Sequence, residues 1–259
     1  MDNEKTNHIV IILSTRNAEK YIEKCFDSVF SQDYPDFEVI FFDANSSDKT
    51  YELACKYLNE HKNLQCIKND KRKYQVENLL IGAKMAPDNS ILIWADGDDF
   101  LADENVLNRI NAEYINNDCW MTYGSFEEFF GTNTSAQPTD WIYKKYPKEV
   151  RDNKSYRKYT WMASHLRTFR KELVLKINEN DLKDVKTKDF VSYAGDLSIM
   201  FPMLEMCPEG KSRHIPDKLY IYNRENENNE SKQNQDEISR IDLYLRNKPV
   251  YETLEKLYL

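Results

Sequence analysis

An apolar run, Ile91-Leu92-Ile93-Trp94, passes through a single alanine into three carboxylates, Asp96-Gly97-Asp98-Asp99. Ile and Trp favour strands, and a short unbroken apolar run suits a strand buried on both faces. Carboxylates crowded where such a strand meets solvent raise one another's pKa and are costly unless something compensates them. A divalent cation removes that repulsion, and oxygen-only ligands suit Mg2+ or Mn2+. Asp96-Gly97-Asp98 is then a D-x-D pair whose glycine lets the backbone turn sharply. Taken alone, the triplet is equally compatible with a solvated acidic turn.

The preceding chain supplies a context. His8 to Leu13 reads as a strand running into Ser14-Thr15-Arg16-Asn17, and a helical pattern follows from Ala18 to Phe30. Ile22, Cys25, Phe26 and Val29 recur on one helix face, and Gln32-Asp33-Tyr34-Pro35 ends the helix. A second buried strand, Phe37 to Phe42, runs into Asp43-Ala44-Asn45-Ser46-Ser47-Asp48. Asn45 to Asp48 suit a turn and the N-cap of a helix over residues 49–60. Strand, crossover helix, strand implies a parallel sheet that binds ligands at the strands' carboxyl ends.

These pieces, in this order and spacing, resemble the family 2 glycosyltransferases of the GT-A fold. The matching segments are Val10 to Asn17, Ser28 to Pro35, Glu38 to Thr50 and Trp94 to Asp99. Trp120 to Ser125, Ser164 to Phe169, Asp196 to Met206 and Leu219 to Arg224 further resemble a subgroup from bacteria and giant viruses. The resemblance implies an α/β, Rossmann-like, mostly parallel central sheet flanked by helices, with a smaller acceptor-side region and a C-terminal helix. It implies one domain over residues 1–259. Its nucleotide-binding half spans about 1–105, its acceptor-binding half about 106–225, and a mobile loop and helix about 226–259.

The implied reaction moves one sugar from a nucleotide diphosphate, a UDP-sugar first, to a hydroxyl of a glycan, lipid or protein, with inversion. It needs the diphosphate's charge neutralised and the acceptor hydroxyl deprotonated. Mn2+ or Mg2+ would do the first at Asp98 and Asp99, with Asp96 in or near that shell and binding the nucleotide sugar. Asp99 also suits a helix N-cap for a segment beginning near Asp103. Asp196, before the apolar pattern Leu197, Phe201 and Leu204, matches the family's catalytic base. The bare sequence fits an N-cap there as well. Ser14 matches a pyrimidine-contacting position, with Arg16, Asp43 and Asn45 lining the same pocket. Ala44 departs from the pattern, because many relatives carry a second Asp there, and this weakens the uridine expectation. Lys73 or Arg72 would approach the base or diphosphate. Alternation puts His165, Arg167 and Phe169 on one face of a short strand, where His165 and Arg167 would meet the donor. Arg224 would reach the diphosphate when the following loop closes.

Other signals set limits. A net charge of −8 disfavours a nucleic-acid partner held through phosphates. Five cysteines without metal-ligand spacing suit free thiols in a reducing compartment. No signal peptide and no apolar run of membrane-spanning length occur. A cytoplasmic enzyme with, at most, peripheral membrane contact is expected. The stretches 131–139 and 151–157 flank Trp141, Tyr143 and Tyr146 and read as an acceptor-side flap. Asn223 to Gln235 reads as a mobile loop, and Ile238 to Leu259 as a helix broken near Pro249. The absence of Gln-x-x-Arg-Trp argues against a processive synthase, and of G-x-G-x-x-G against a dehydrogenase. A sugar-phosphate nucleotidyltransferase and an inactive GT-A binding module are the alternatives.

Overall fold

β1 (Ile9–Thr15) is buried except at its last residue, and its side chains leave in two directions. Ile9, Ile11 and Leu13 enter one apolar core, Val10 and Ile12 the other. A strand with both faces covered must read as a continuous apolar run. β2 (Phe37–Asp43) and β4 (Ile91–Asp96) follow the same rule. The computed structural model describes residues 6–131, 134–135, 144–227, 232 and 234–258.

Parallel pairing joins β3 (Leu64–Lys68) to β2, β2 to β1 and β1 to β4. β8 (Ser164–Arg170) then pairs antiparallel with β4 and with β6 (Met121–Phe129). β9 (Ser212–Asn223) runs parallel to β6 and pairs antiparallel with the two-residue β5 (Phe100–Leu101). Among the described residues these strands form one sheet in the order β3-β2-β1-β4-β8-β6-β9-β5, and β7 (Thr134–Ser135) pairs with the end of β6. The order reverses at β1, which has β2 on one side and β4 on the other, and such a switch opens a crevice at the carboxyl ends.

Helices cover both faces. α1 (Ile22–Phe30) and α4 (Val106–Asn117) pack on the core that contains Ile9, and α3 (Gln75–Met85) and α7 (Gly195–Met206) on the core that contains Val10. α1 inserts Ile22, Cys25, Phe26 and Val29, the face read from its spacing. Each large apolar side chain so buried contributes roughly 1.5–3 kcal/mol.

Several boundaries differ from the sequence reading. α1 begins at Ile22 rather than Ala18. The Ala18 amide donates to Thr50 Oγ1 (2.8 Å) and the Glu19 amide to Asp48 Oδ2 (3.2 Å). Side chains beyond β2 thus hold residues 18–19 out of the helix. α2 (Thr50–Lys56) ends in a 3-10 turn at Tyr57–Asn59. The last helix, α8 (Gln235–Arg246), starts earlier than expected because Asn234 caps it, its Oδ1 accepting from the Glu237 amide. It stops before Pro249, and the tail returns to α7, where the Leu254 amide donates to Met206 O.

The expected flap is corrected where it is described. Residues 151–157 hold the end of α5 (Lys148–Asp152) and a 3-10 turn, and Arg157 is buried against Glu205 at 2.6 Å. Tyr146 is a core residue whose hydroxyl accepts from the Met162 amide. Trp141 and Tyr143 lie outside the described residues. So do 228–231 and 233 of the expected mobile loop, while Asn223 to Asn226 are bonded into the cleft described below. All five cysteines are free thiols. Among the described residues no helix is long and apolar enough to cross a membrane.

Candidate active site

The crevice at the carboxyl ends of β1 and β4 is a cleft of about 350 Å³. Register puts Ser14 beside Asp96, and Trp94 beside Arg167 on β8. Past β4 the chain turns at Gly97, where a Cβ would stand 2.9 Å from Thr15 Cβ and Cγ2. Only glycine lets the acidic turn lie this close to β1.

The three carboxylates differ in surroundings. Asp96 accepts from Gln75 Nε2 at the start of α3, and its amide donates to the Tyr220 hydroxyl (3.0 Å). Asp98 Oδ2 accepts from Asn226 Nδ2 (2.6 Å), and its carbonyl from Asn223 Nδ2 (3.0 Å). Asp99 is nearly fully buried. Its Oδ1 accepts from the Asn223 amide (2.7 Å), and Oδ2 has no hydrogen-bond partner. It caps no helix, because α4 starts at Val106. Burial, then Asp96, pushes the Asp98 carboxyl up to about 6. Burial, then Asp98 and Asp96, lifts Asp99 well above the carboxylate range. Burial also raises Asp96, opposed by Arg167 and Gln75.

Asp196 enters the same cleft from α7. It lies in the first turn of α7, after Ala194 at the N-cap, so it is not the cap that the sequence allowed. Its Oδ1 accepts from the Leu197 amide (2.9 Å), and Oδ2 lies 3.8 Å from Arg167 Nη2. A helix N-terminus favours a carboxylate. Glu205, the other carboxylate of α7, is fully buried against Arg157 and does not line the cleft.

Of the residues expected from sequence, Ser14, Arg16, Lys73, Asp96, Asp98, Asp99, His165, Arg167, Asp196 and Arg224 line this one cleft. Asp43 and Asn45 do not. Asp43 is fully buried, its Oδ2 accepting from the Ser46 amide and its Oδ1 without a partner. Asn45 is exposed with φ 63°, and Ala44 lines the wall instead. Arg224 pairs with Glu128 (2.6 Å) and lies over the Tyr222 ring, and Lys73 pairs with Glu77. Gln75, Phe126, Tyr222 and Asn226 were missed. Gln75 alone left a signal, a polar residue opening a helix after a basic run. The other three depend on strand pairing that no local pattern encodes.

The family model "Glycosyl transferase family 2" matches residues 10–177. The chain belongs to glycosyl transferase family 2. Membership bears out the resemblance read from the motifs, together with the enzyme class it names. One relative is a dolichyl N-acetyl-alpha-D-glucosaminyl phosphate 3-beta-D-2,3-diacetamido-2,3-dideoxy-beta-D-glucuronosyltransferase of Methanococcus voltae. It is 39% identical over 92 residues, which cover 34% of this chain and 28% of that protein. The chain spans between 28% and 46% of the length of three curated relatives it matches. Among solved structures, S. aureus TarS 1-349 in complex with UDP-GlcNAc superposes with a TM-score of 0.65 at 19% identity, over 95% of this chain and 68% of that one. The mannosyltransferase PcManGT from Pyrobaculum calidifontis, in complex with GDP-Man and Mn2+, gives 0.58 at 18% identity, over 84% and 57%. These likenesses establish the GT-A fold.

Atoms of Asp96, Asp99 and His165 lie within 4.8 Å of one another, close enough to share a metal ion. The carboxylates fit a hard divalent cation: they repel one another, and Asp99 Oδ2 has no donor. His165 fits less well, because its Nε2 already accepts from Arg167 Nη2 (2.7 Å).

Proposed function

We propose that this family 2 domain transfers a single sugar from a nucleoside diphosphate to an acceptor hydroxyl, with inversion. The observation that carries this reading is one cleft lined together by Asp96 and Asp98, at the end of β4, and by Asp196, at the start of α7. Ser14 is oriented for the nucleobase, because Asn78 Nδ2 donates to its Oγ (2.8 Å) and leaves its hydroxyl proton for a ligand acceptor. Asp43 stays a candidate for the base through its partnerless Oδ1. Asn45 stays one only through its carbonyl, which accepts from Arg16 Nε at 3.4 Å.

Arg16, Lys73 and Arg224 offer positive charge to the diphosphate, and Arg224 would exchange Glu128 for a phosphate oxygen. Asp98, with Asp96 and Asp99, would hold Mn2+ or Mg2+, which supplies charge neutralisation for the departing diphosphate. Asp196 would take the acceptor proton as that hydroxyl attacks the anomeric carbon, and the diphosphate leaves from the opposite side. UDP-sugars are the first donors to test, Ala44 notwithstanding, and the acceptor is a hydroxyl of a glycan, lipid or protein. The unpaired cysteines support a cytoplasmic setting. The test is a hydrolysis screen across UDP-, GDP-, dTDP- and CMP-sugars with Mn2+, read as released nucleotide. The reading expects release from one nucleotide class, abolished by EDTA. Release from none would contradict it.

A further inference from the structure

Arg167 is a charged group with almost no water around it. It is buried, its Cζ lies 5.1 Å from the centroid of the Trp94 ring, and its Nε has no hydrogen-bond partner. A guanidinium stays charged in such a place, so its partners decide what it does. The nearest are His165 Nε2 at 2.7 Å and Asp196 Oδ2 at 3.8 Å, and its charge also acts on Asp96. A ring nitrogen that accepts from a guanidinium carries no proton, so the proton of His165 is on Nδ1, 3.2 Å from Ser164 Oγ. The ring is clamped, stacked on Tyr220 at 3° and 4.7 Å with Phe126 at its edge. A fixed neutral imidazole therefore aims the guanidinium toward the first turn of α7.

We infer that Arg167, aimed by neutral His165, is a positioning residue that holds the Asp196 carboxylate on the acceptor side, rather than a ligand for the donor diphosphate. This rests on the reading of Asp196 as the base. In the resting cleft one nitrogen of Arg167, Nη2, donates to His165 Nε2 and stands 3.8 Å from Asp196 Oδ2. Arg16, Lys73 and Arg224 line the same cleft, and the donor's charge can be met by them once Arg224 leaves Glu128 and Lys73 leaves Glu77.

A double-mutant cycle tests the inference. Hydrolysis of UDP-GlcNAc, or of whichever sugar nucleotide the screen selects, is measured in wild type, R167Q, D196N and R167Q/D196N. UDP affinity with Mn2+ is measured by calorimetry in each. R167Q should lower kcat by about 10- to 100-fold and leave UDP affinity within about twofold. In the D196N background it should cost less than about twofold more, because a residue acting through Asp196 has nothing left to position. His165→Leu should reproduce R167Q, and His165→Gln, which keeps an acceptor, should restore most of the rate. If R167Q does not fold, R167K runs the same cycle, since it keeps the charge and loses the fork. A tenfold loss of UDP affinity, or losses that multiply in the double variant, would overturn the inference. A wild-type rate in D196N would instead overturn the base assignment.

Discussion

Asp98 shares a buried turn with two other carboxylates, and its carboxyl is held at about 6. An unfolded Asp titrates near ~3.9, so between the two values the folded chain binds a proton that the unfolded chain has released. Metal-free stability therefore falls as pH rises from about 4 to about 6, by linkage. Asp98→Asn should remove the share of that slope that Asp98 contributes, and its carbonyl oxygen can still face Asn226. The variant should be more stable than wild type by roughly 1–3 kcal/mol above pH 7 without metal, taking about 1.4 kcal/mol per pKa unit. Urea melts at pH 4 and pH 7.5 in EDTA check this, and a constant difference between the two pH values would contradict it. Asp196 makes a different prediction. Asn there loses the favourable charge at the start of α7, a cost of about 0.3–1 kcal/mol. Turnover should fall on the order of 10²-fold or more, with UDP affinity unchanged. Steady-state rates and thermal melts of Asp196→Asn separate catalysis from folding.

At the scale of elements, α7 is held at both ends. Its first turn presents Asp196, and near its other end Glu205 meets Arg157 inside the core (Nε to Oε1 2.6 Å, Nη2 to Oε2 2.9 Å). Arg157 also donates to Leu245 O of α8, and Glu205 Oε2 accepts from the Tyr251 amide of the tail. One ion pair thus ties α7, α8 and the C-terminal segment. Glu205→Ala leaves a buried guanidinium unpaired and should cost about 3–5 kcal/mol, measurable by urea unfolding. Arg157→Met with Glu205→Leu should recover much of that loss. Gly124 on β6 is a second structural point. A Cβ there would lie 3.0 Å from Ile215 O and 3.2 Å from His165 O, both backbone atoms. Gly124→Ala should cost roughly 1–3 kcal/mol by overpacking and shift His165. The amphipathic face of α1 was legible because four apolar residues share one stripe. The start of α1, the reach of α8 and the buried state of Arg157 were not. Two are set by a partner far along the chain, Thr50 and Glu205, and the start of α8 by a cap, Asn234, that follows a poorly patterned stretch.

Across the whole molecule, the half built from parallel strands could be read almost directly. Strands covered on both faces must be apolar throughout, and the residues after them must lie along one edge, so Ser14 and Asp96 could be joined before any coordinates. The second half could not be read this way. β9 pairs with both β6 and β5 and brings Asn226 to Asp98 across 128 positions, a contact with no local signature. Asp43 and Asn45 show the converse, polar residues in the right turn that do not line the cleft. The central claim is that the acidic turn binds a nucleoside diphosphate together with a divalent cation. Calorimetric titration of UDP into the protein, with Mn2+ and then with EDTA, tests it most directly. The account predicts at least a roughly tenfold weaker affinity in EDTA, equivalent to about 1.4 kcal/mol, and a similar loss in Asp98→Ala with Mn2+ present. Equal affinity with and without the metal, or full affinity in Asp98→Ala, would contradict it.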